Sequence, residues 1–82
     1  MSEEVITEQD APARKEQDVA TIREQRLREG PEEGIKQWYH INHPFQDGFA
    51  ATVFLNTAPA QGPGEAMTTV RDDGTVEVFV YF

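Results

Sequence analysis

The sequence predicts an α+β fold: an N-terminal helix packed on a small antiparallel meander of about four strands. Three observations lead there. Residues 16–29 are good helix formers and end at Gly30-Pro31, a strong helix stop. Residues 35–43, 49–57, 66–70 and 75–82 are rich in β-branched and aromatic side chains. Asp47-Gly48 and Asp73-Gly74 are turn dipeptides between those segments.

The chain has 82 residues, one domain at most. A chain this short buries only about 60% of its unfolded surface. Its core supplies about 3–5 kcal/mol, and domains of this size often add a disulfide, a metal or a partner. With no cysteine, disulfides and thiolate metal sites are excluded.

Taken in order, residues 1–15 carry Val5 and Ile6 alone among charges, so they read as a disordered acidic arm ahead of a single domain at 16–82. Val5-Ile6 is the segment a partner would anchor. In the helix, Asp18 is a candidate N-cap, with an earlier start as the alternative. Its apolar stripe is thin: Val19, Ala20 and Ile22, with Leu27 at its margin. Pro31-Glu32-Glu33-Gly34 is a turn. Residues 35–42 form the first strand, which His43-Pro44 ends. A hairpin at Asp47-Gly48 leads into a second strand over 49–57, with Phe54 on the face away from Val53 and Leu55. Residues 58–64, with two prolines and two glycines, form a loop.

The last hairpin is the best specified. A two-residue Asp73-Gly74 turn would set Val76 opposite Arg71. A three-residue loop, Asp72-Asp73-Gly74 with Gly74 left-handed, sets Val70 opposite Val76, Thr68 opposite Val78 and Ala66 opposite Val80. The second register pairs apolar with apolar and is the expected one.

The final strand is apolar on both sides. Val76, Val78, Val80 and Phe82 share one face; Phe79 and Tyr81 point to the other. A strand with one wet face would alternate apolar and polar residues. The second face therefore reads as a surface for another protein or another copy of the chain. Its expected members are Trp38, Phe54, Phe79 and Tyr81, with Phe82 added from the C-terminal strand. That strand, if it lies at an edge, also offers its backbone to another sheet.

Charge limits the alternatives. The net charge is −8; residues 1–33 hold ten carboxylates against five Lys/Arg, and residues 34–82 hold five against two. Nucleic acid and anionic membrane surfaces would repel such a chain. No apolar run is long enough to span a membrane. Met-Ser-Glu-Glu is not a secretory signal, so a cytoplasmic or assembly-bound setting is expected, a virion included. Ser2 is the sole serine, which removes a serine nucleophile from the folded part. The glycines at 62, 64 and 74 lack a phosphate-loop lysine. His40 and His43, three apart in a strand, point to opposite faces and cannot share a metal without a bend. Asp72-Asp73-Gly74 lacks the alternating ligands of a calcium loop. No cofactor is expected.

Two readings from different classes remain beside a small metal enzyme resting on His40, His43 and Asp47. One is a non-enzymatic accessory or structural subunit that docks through the aromatic face. The other is an acidic inhibitor that mimics nucleic acid, with Glu24, Glu29, Glu32 and Glu33 as its patch. Arg23, Arg26 and Arg28 interrupt that patch. Salt separates the two, because carboxylate-driven binding weakens steeply with ionic strength.

Overall fold

The computed structural model describes residues 4–29 and 36–82. Within them the order is α1 (Ala11–Glu29), β1 (Trp38–His40), α2 (Gly48–Asn56), β2 (Ala66–Val70) and β3 (Val76–Tyr81). The three strands make one antiparallel sheet in the order β1-β3-β2. Both helices contribute to the core on one sheet face, where Ile22, Ala50, Ala51 and Phe54 meet Tyr39, Val76, Val78 and Val80. The α+β class holds, with two helices and three strands in place of one helix and four.

The expected second strand is the helix α2. Asp47 does not turn a hairpin. It takes extended backbone and its carboxylate accepts from Ala50 N–H at 2.9 Å, which makes it an N-cap. The buried residues Ala50, Ala51 and Phe54 follow a helical spacing. Phe54 is 1% exposed and lies in the core, with its ring edge-on to Phe45 at 4.9 Å. The sheet-face position expected for it is thereby corrected.

The first strand is also shorter than the expected 35–42. Ile41 N–H still donates to Val78 at 2.9 Å, but residues 42–44 then leave the sheet. Phe45 rejoins it, exchanging both backbone bonds with Val76 at 2.8 and 2.9 Å. The excursion carries His43 and Pro44 inward, and both are buried.

Residues 4–15, expected as part of a free arm, are docked. Ile6 is wholly buried; its N–H donates to Pro44 at 2.9 Å and its carbonyl accepts from Gln46 at 2.8 Å. It thus adds one rung beside Phe45. Asp10 N–H donates to Thr7 Oγ1 at 3.4 Å as a cap, Thr7 Oγ1 donates in turn to Asp10 Oδ2 at 3.1 Å, and Pro12 follows in the first helical turn, where its missing N–H costs nothing. The helix therefore starts at Ala11, not near Asp18. Its buried stripe runs Ala11, Lys15, Val19, Ile22, while Ala20 and Leu27 face outward.

Lys15 is the unusual member of that stripe, at 1% exposed. Its ammonium donates to the Phe54 carbonyl at 3.1 Å and lies 4.9 Å from the centre of the Phe54 ring. It thus gives a second donor to a carbonyl near the end of α2 that also accepts from Thr57 N–H at 3.3 Å. Burial holds its pKa below the ordinary 10.5, with Asp18 acting in the opposite direction.

The last hairpin has the expected register: Val70 opposite Val76, Thr68 opposite Val78, Ala66 opposite Val80. Gly74 has φ +87°, the left-handed value the three-residue loop requires. Asp73 accepts from Thr75 Oγ1 at 2.6 Å and from Thr75 N–H at 3.0 Å, which lowers its pKa. The preceding loop contains a cis Ala58-Pro59 bond and is tied down by Gln61, whose side chain donates to the Glu65 and Tyr81 carbonyls.

Candidate functional site

The sheet alternates, so its two faces are different surfaces. Toward the helices point Tyr39, Val76, Val78 and Val80, all buried. On the opposite face, register brings together Trp38 and His40 from β1, Phe79 and Tyr81 from β3, and Met67 from β2. Trp38 lies opposite Tyr81 with ring centres 5.3 Å apart, and His40 lies opposite Phe79 at 4.8 Å. Met67 flanks Phe79 from the other side. The valines of β3 point away from this face, into the core that the helices share. Trp38 stays 51% exposed and Met67 52%, while Phe79 and Tyr81 are half-buried by their neighbours in the sheet.

Charges sit around these rings and are largely paired with one another. Arg71 donates to Glu77 Oε1 at 3.2 Å, and His40 Nε2 lies 3.1 Å from the same oxygen. The Arg71 hydrogen bond, then its charge and the His40 contact, hold the Glu77 carboxyl below its ordinary value against a smaller desolvation effect. Lys36 pairs with Glu65, which also accepts from Gly62 N–H at 2.8 Å, and both bonds lower the Glu65 pKa.

Of the residues expected on a docking face, Trp38, Phe79 and Tyr81 are together. Phe54 is in the core. Phe82 falls on the parity of the valines and packs against the core cluster, with the Arg23 and Arg26 guanidiniums 5.9 and 5.8 Å from its ring. β3 is the central strand, so its backbone is paired on both sides and cannot accept another strand. The face also includes Met67 and His40, which sequence reasoning left out. The hairpin register already implied Met67 opposite Phe79.

Of the expected acidic patch, only the Glu24 side chain is among those described. Glu24 is exposed on α1; Glu29 ends that helix; Glu32 and Glu33, with the Gly30-Pro31 stop and Ile35, lie outside the described residues.

The two histidines diverge. His40 is on the open face. His43 is 6% exposed and faces α1, with Nδ1 2.9 Å from Arg14 and Nε2 3.1 Å from Asp18 Oδ2. That second contact is not aligned as a hydrogen bond. The cluster joins α1 to the 42–44 excursion. Among the described residues no three His, Asp or Glu side chains converge as metal ligands, and no helix is long and apolar enough to cross a membrane. Comparison with protein-family models, curated proteins and solved structures finds no match for this chain.

Proposed function

We propose that this chain is a non-enzymatic, protein-binding accessory subunit that seats its open sheet face on an apolar surface of another protein. The observation that carries the reading is the row Trp38, Tyr81, Phe79 and Met67 on the sheet face opposite the buried valines, with Trp38 and Met67 about half exposed. Trp, Tyr, Phe and Met are the residues enriched at interface centres, and charged residues are depleted there. Here the charges lie around the rings and already have partners, so a docking protein need not strip an isolated ion of water. Trp38 is the expected anchor, because a half-exposed indole loses little entropy on burial and gains much area.

The face is small. Three strands at about 4.8 Å spacing and five residues at about 3.3 Å rise give a footprint of roughly 250 Å². A standard interface takes about 800 Å² from each partner. The charged surround must therefore contribute, or the face must be enlarged.

The test is site-specific photocrosslinking of the full chain in its host, with the crosslinker at position 38. The reading expects a discrete crosslinked protein that persists at high salt and disappears with Phe79→Ser. A crosslink formed instead from position 24 and lost at high salt would favour acidic mimicry. No discrete product from position 38 would remove the proposal.

A further inference from the structure

The sheet has a second unused feature, independent of the aromatic face. β2 is an edge strand, and nothing in the described chain pairs with its outer side. Tyr81 N–H donates to Glu65, and Arg71 N–H donates to Thr75, each at 2.8 Å. Residues 65, 67, 69 and 71 thus direct their backbone groups toward β3. By the alternation of an antiparallel ladder, Ala66, Thr68 and Val70 direct theirs outward.

Natural edges are usually blunted by a lysine, a proline, a bulge or a covering segment. Ala66-Met67-Thr68-Thr69-Val70 has no charge and no proline. Thr68 is exposed, Val70 is 74% exposed and Met67 is 52% exposed. Behind the edge, β2 and α2 frame a groove of about 410 Å³ lined by Ala51, Thr52, Leu55, Thr68 and Val70. Phe49, at the start of α2, is 66% exposed.

The strand is also complementary to itself. Laid antiparallel about Thr68, it sets Thr68 opposite the second copy's Thr68, Val70 opposite its Ala66, and Thr69 opposite its Met67. One step further, Arg71 falls opposite the second copy's Glu65. All outward backbone groups are matched, the exposed valine meets an apolar residue, and at both ends opposite charges face one another, Arg71 and Glu65 keeping their partners Glu77 and Lys36 within each copy. A one-residue shift would break each of these matches, because the pairing would then use the inward-directed groups.

We infer that a second copy of this chain pairs with the β2 edge, antiparallel and centred on Thr68, to make one continuous six-stranded sheet. The two-fold axis stands perpendicular to the sheet, so both aromatic faces lie on the same side and both helical layers on the other. The arrangement doubles the open face. The two Thr68 side chains meet on the axis, with a Val70–Ala66 pair on either side of them. The net charge of −8 per chain opposes association. At physiological ionic strength that repulsion is screened beyond about 8 Å.

The experiment is sedimentation equilibrium of the full chain over a wide concentration range at physiological salt, with circular dichroism to check folding. The wild-type mass is expected to rise to that of a dimer. Thr68→Lys, which sets two lysines face to face on the axis, and Thr68→Pro, which removes an outward N–H without touching the β3 ladder, should both stay folded and monomeric. Arg71→Glu alone and Glu65→Arg alone each create two like-charge contacts and should weaken association about tenfold. An equimolar mixture of those two variants should restore it, since both cross-copy pairs are then complementary. That rescue cannot come from misfolded chains. A wild-type chain that stays monomeric throughout overturns the inference, as does a dimer unchanged by Thr68→Lys. A dimer kept in Thr68→Lys but lost in Trp38→Ser would mean that copies meet through the aromatic face, which overturns the edge pairing and leaves the docking role of that face standing.

Discussion

The two faces of β3 are both apolar, yet different things cover them. Val76, Val78 and Val80 are 4% exposed or less, packed with Phe54 and Ile22 of the helices. Glu77, Phe79 and Tyr81 on the other face are only half-buried, beside side chains of the neighbouring strands. Each fully buried aliphatic side chain is worth about 1.5–3 kcal/mol, a large share of the stability of a domain this small. The aromatic face yields less, because part of its surface remains in water. The comparison separates two settings of apolar residues in one strand: one face holds the fold, and the other is the face proposed for docking.

The largest expected effect tests the folded face. Phe45 is wholly buried, exchanges backbone bonds with Val76, and meets the Phe54 ring edge-on. Phe45→Ala should cost about 3–5 kcal/mol, enough to unfold most of the population. Chemical denaturation will measure it; a loss below 1 kcal/mol would mean that the core does not centre on this ring.

A smaller effect concerns Lys15, buried on the helical side of the same core. Its pKa is lowered in the folded chain. In the alkaline window below 10.5 the unfolded chain therefore binds more protons than the folded one, and stability should rise with pH there. Lys15→Met should abolish that rise. Denaturation midpoints at several alkaline pH values will show it, and an unchanged slope in the variant would contradict the assignment.

The smallest effect belongs to the open face. The Glu77 pKa is depressed in the folded chain, chiefly by Arg71. Its contribution is present above the ordinary value of 4.5 and is lost as pH falls through the depressed one. Glu77→Gln should flatten only that acid limb, leaving neutral-pH stability nearly unchanged, as expected of an exposed pair. Acid titrations of both proteins followed by circular dichroism will check this.

Legibility in the sequence followed the strength of local signals. The last hairpin could be read to its register, because apolar pairs and Gly74 favoured one of two alignments. Residues 49–57 could not be, because Phe-Ala-Ala-Thr-Val-Phe-Leu is apolar almost throughout and carries neither period. There Asp47 decides the outcome, and an Asp-Gly pair serves a hairpin turn and a helix cap equally well. Ile6 looked isolated because its partner, Phe45, lies far along the chain. Lys15 concealed the stripe of α1 because a lysine does not count as apolar, although its stem packs as if it were. The site was legible where strand alternation applied, at Trp38, Phe79 and Tyr81. It failed at Phe54, which belongs to the unrecognised helix, and at Phe82, whose parity is that of the valines.

The central claim is that the fold rests on one face of β3 and leaves the other for binding. Adjacent residues on that strand test it most directly, by urea denaturation of Val78→Ser and Phe79→Ser side by side. Val78 is fully buried, and losing its methyl groups while burying a hydroxyl should cost about 3 kcal/mol. Phe79→Ser should cost about 1 kcal/mol and leave a folded chain. Equal losses, or a Phe79 variant that unfolds while the Val78 variant survives, would place the aromatic face in the core and contradict the account.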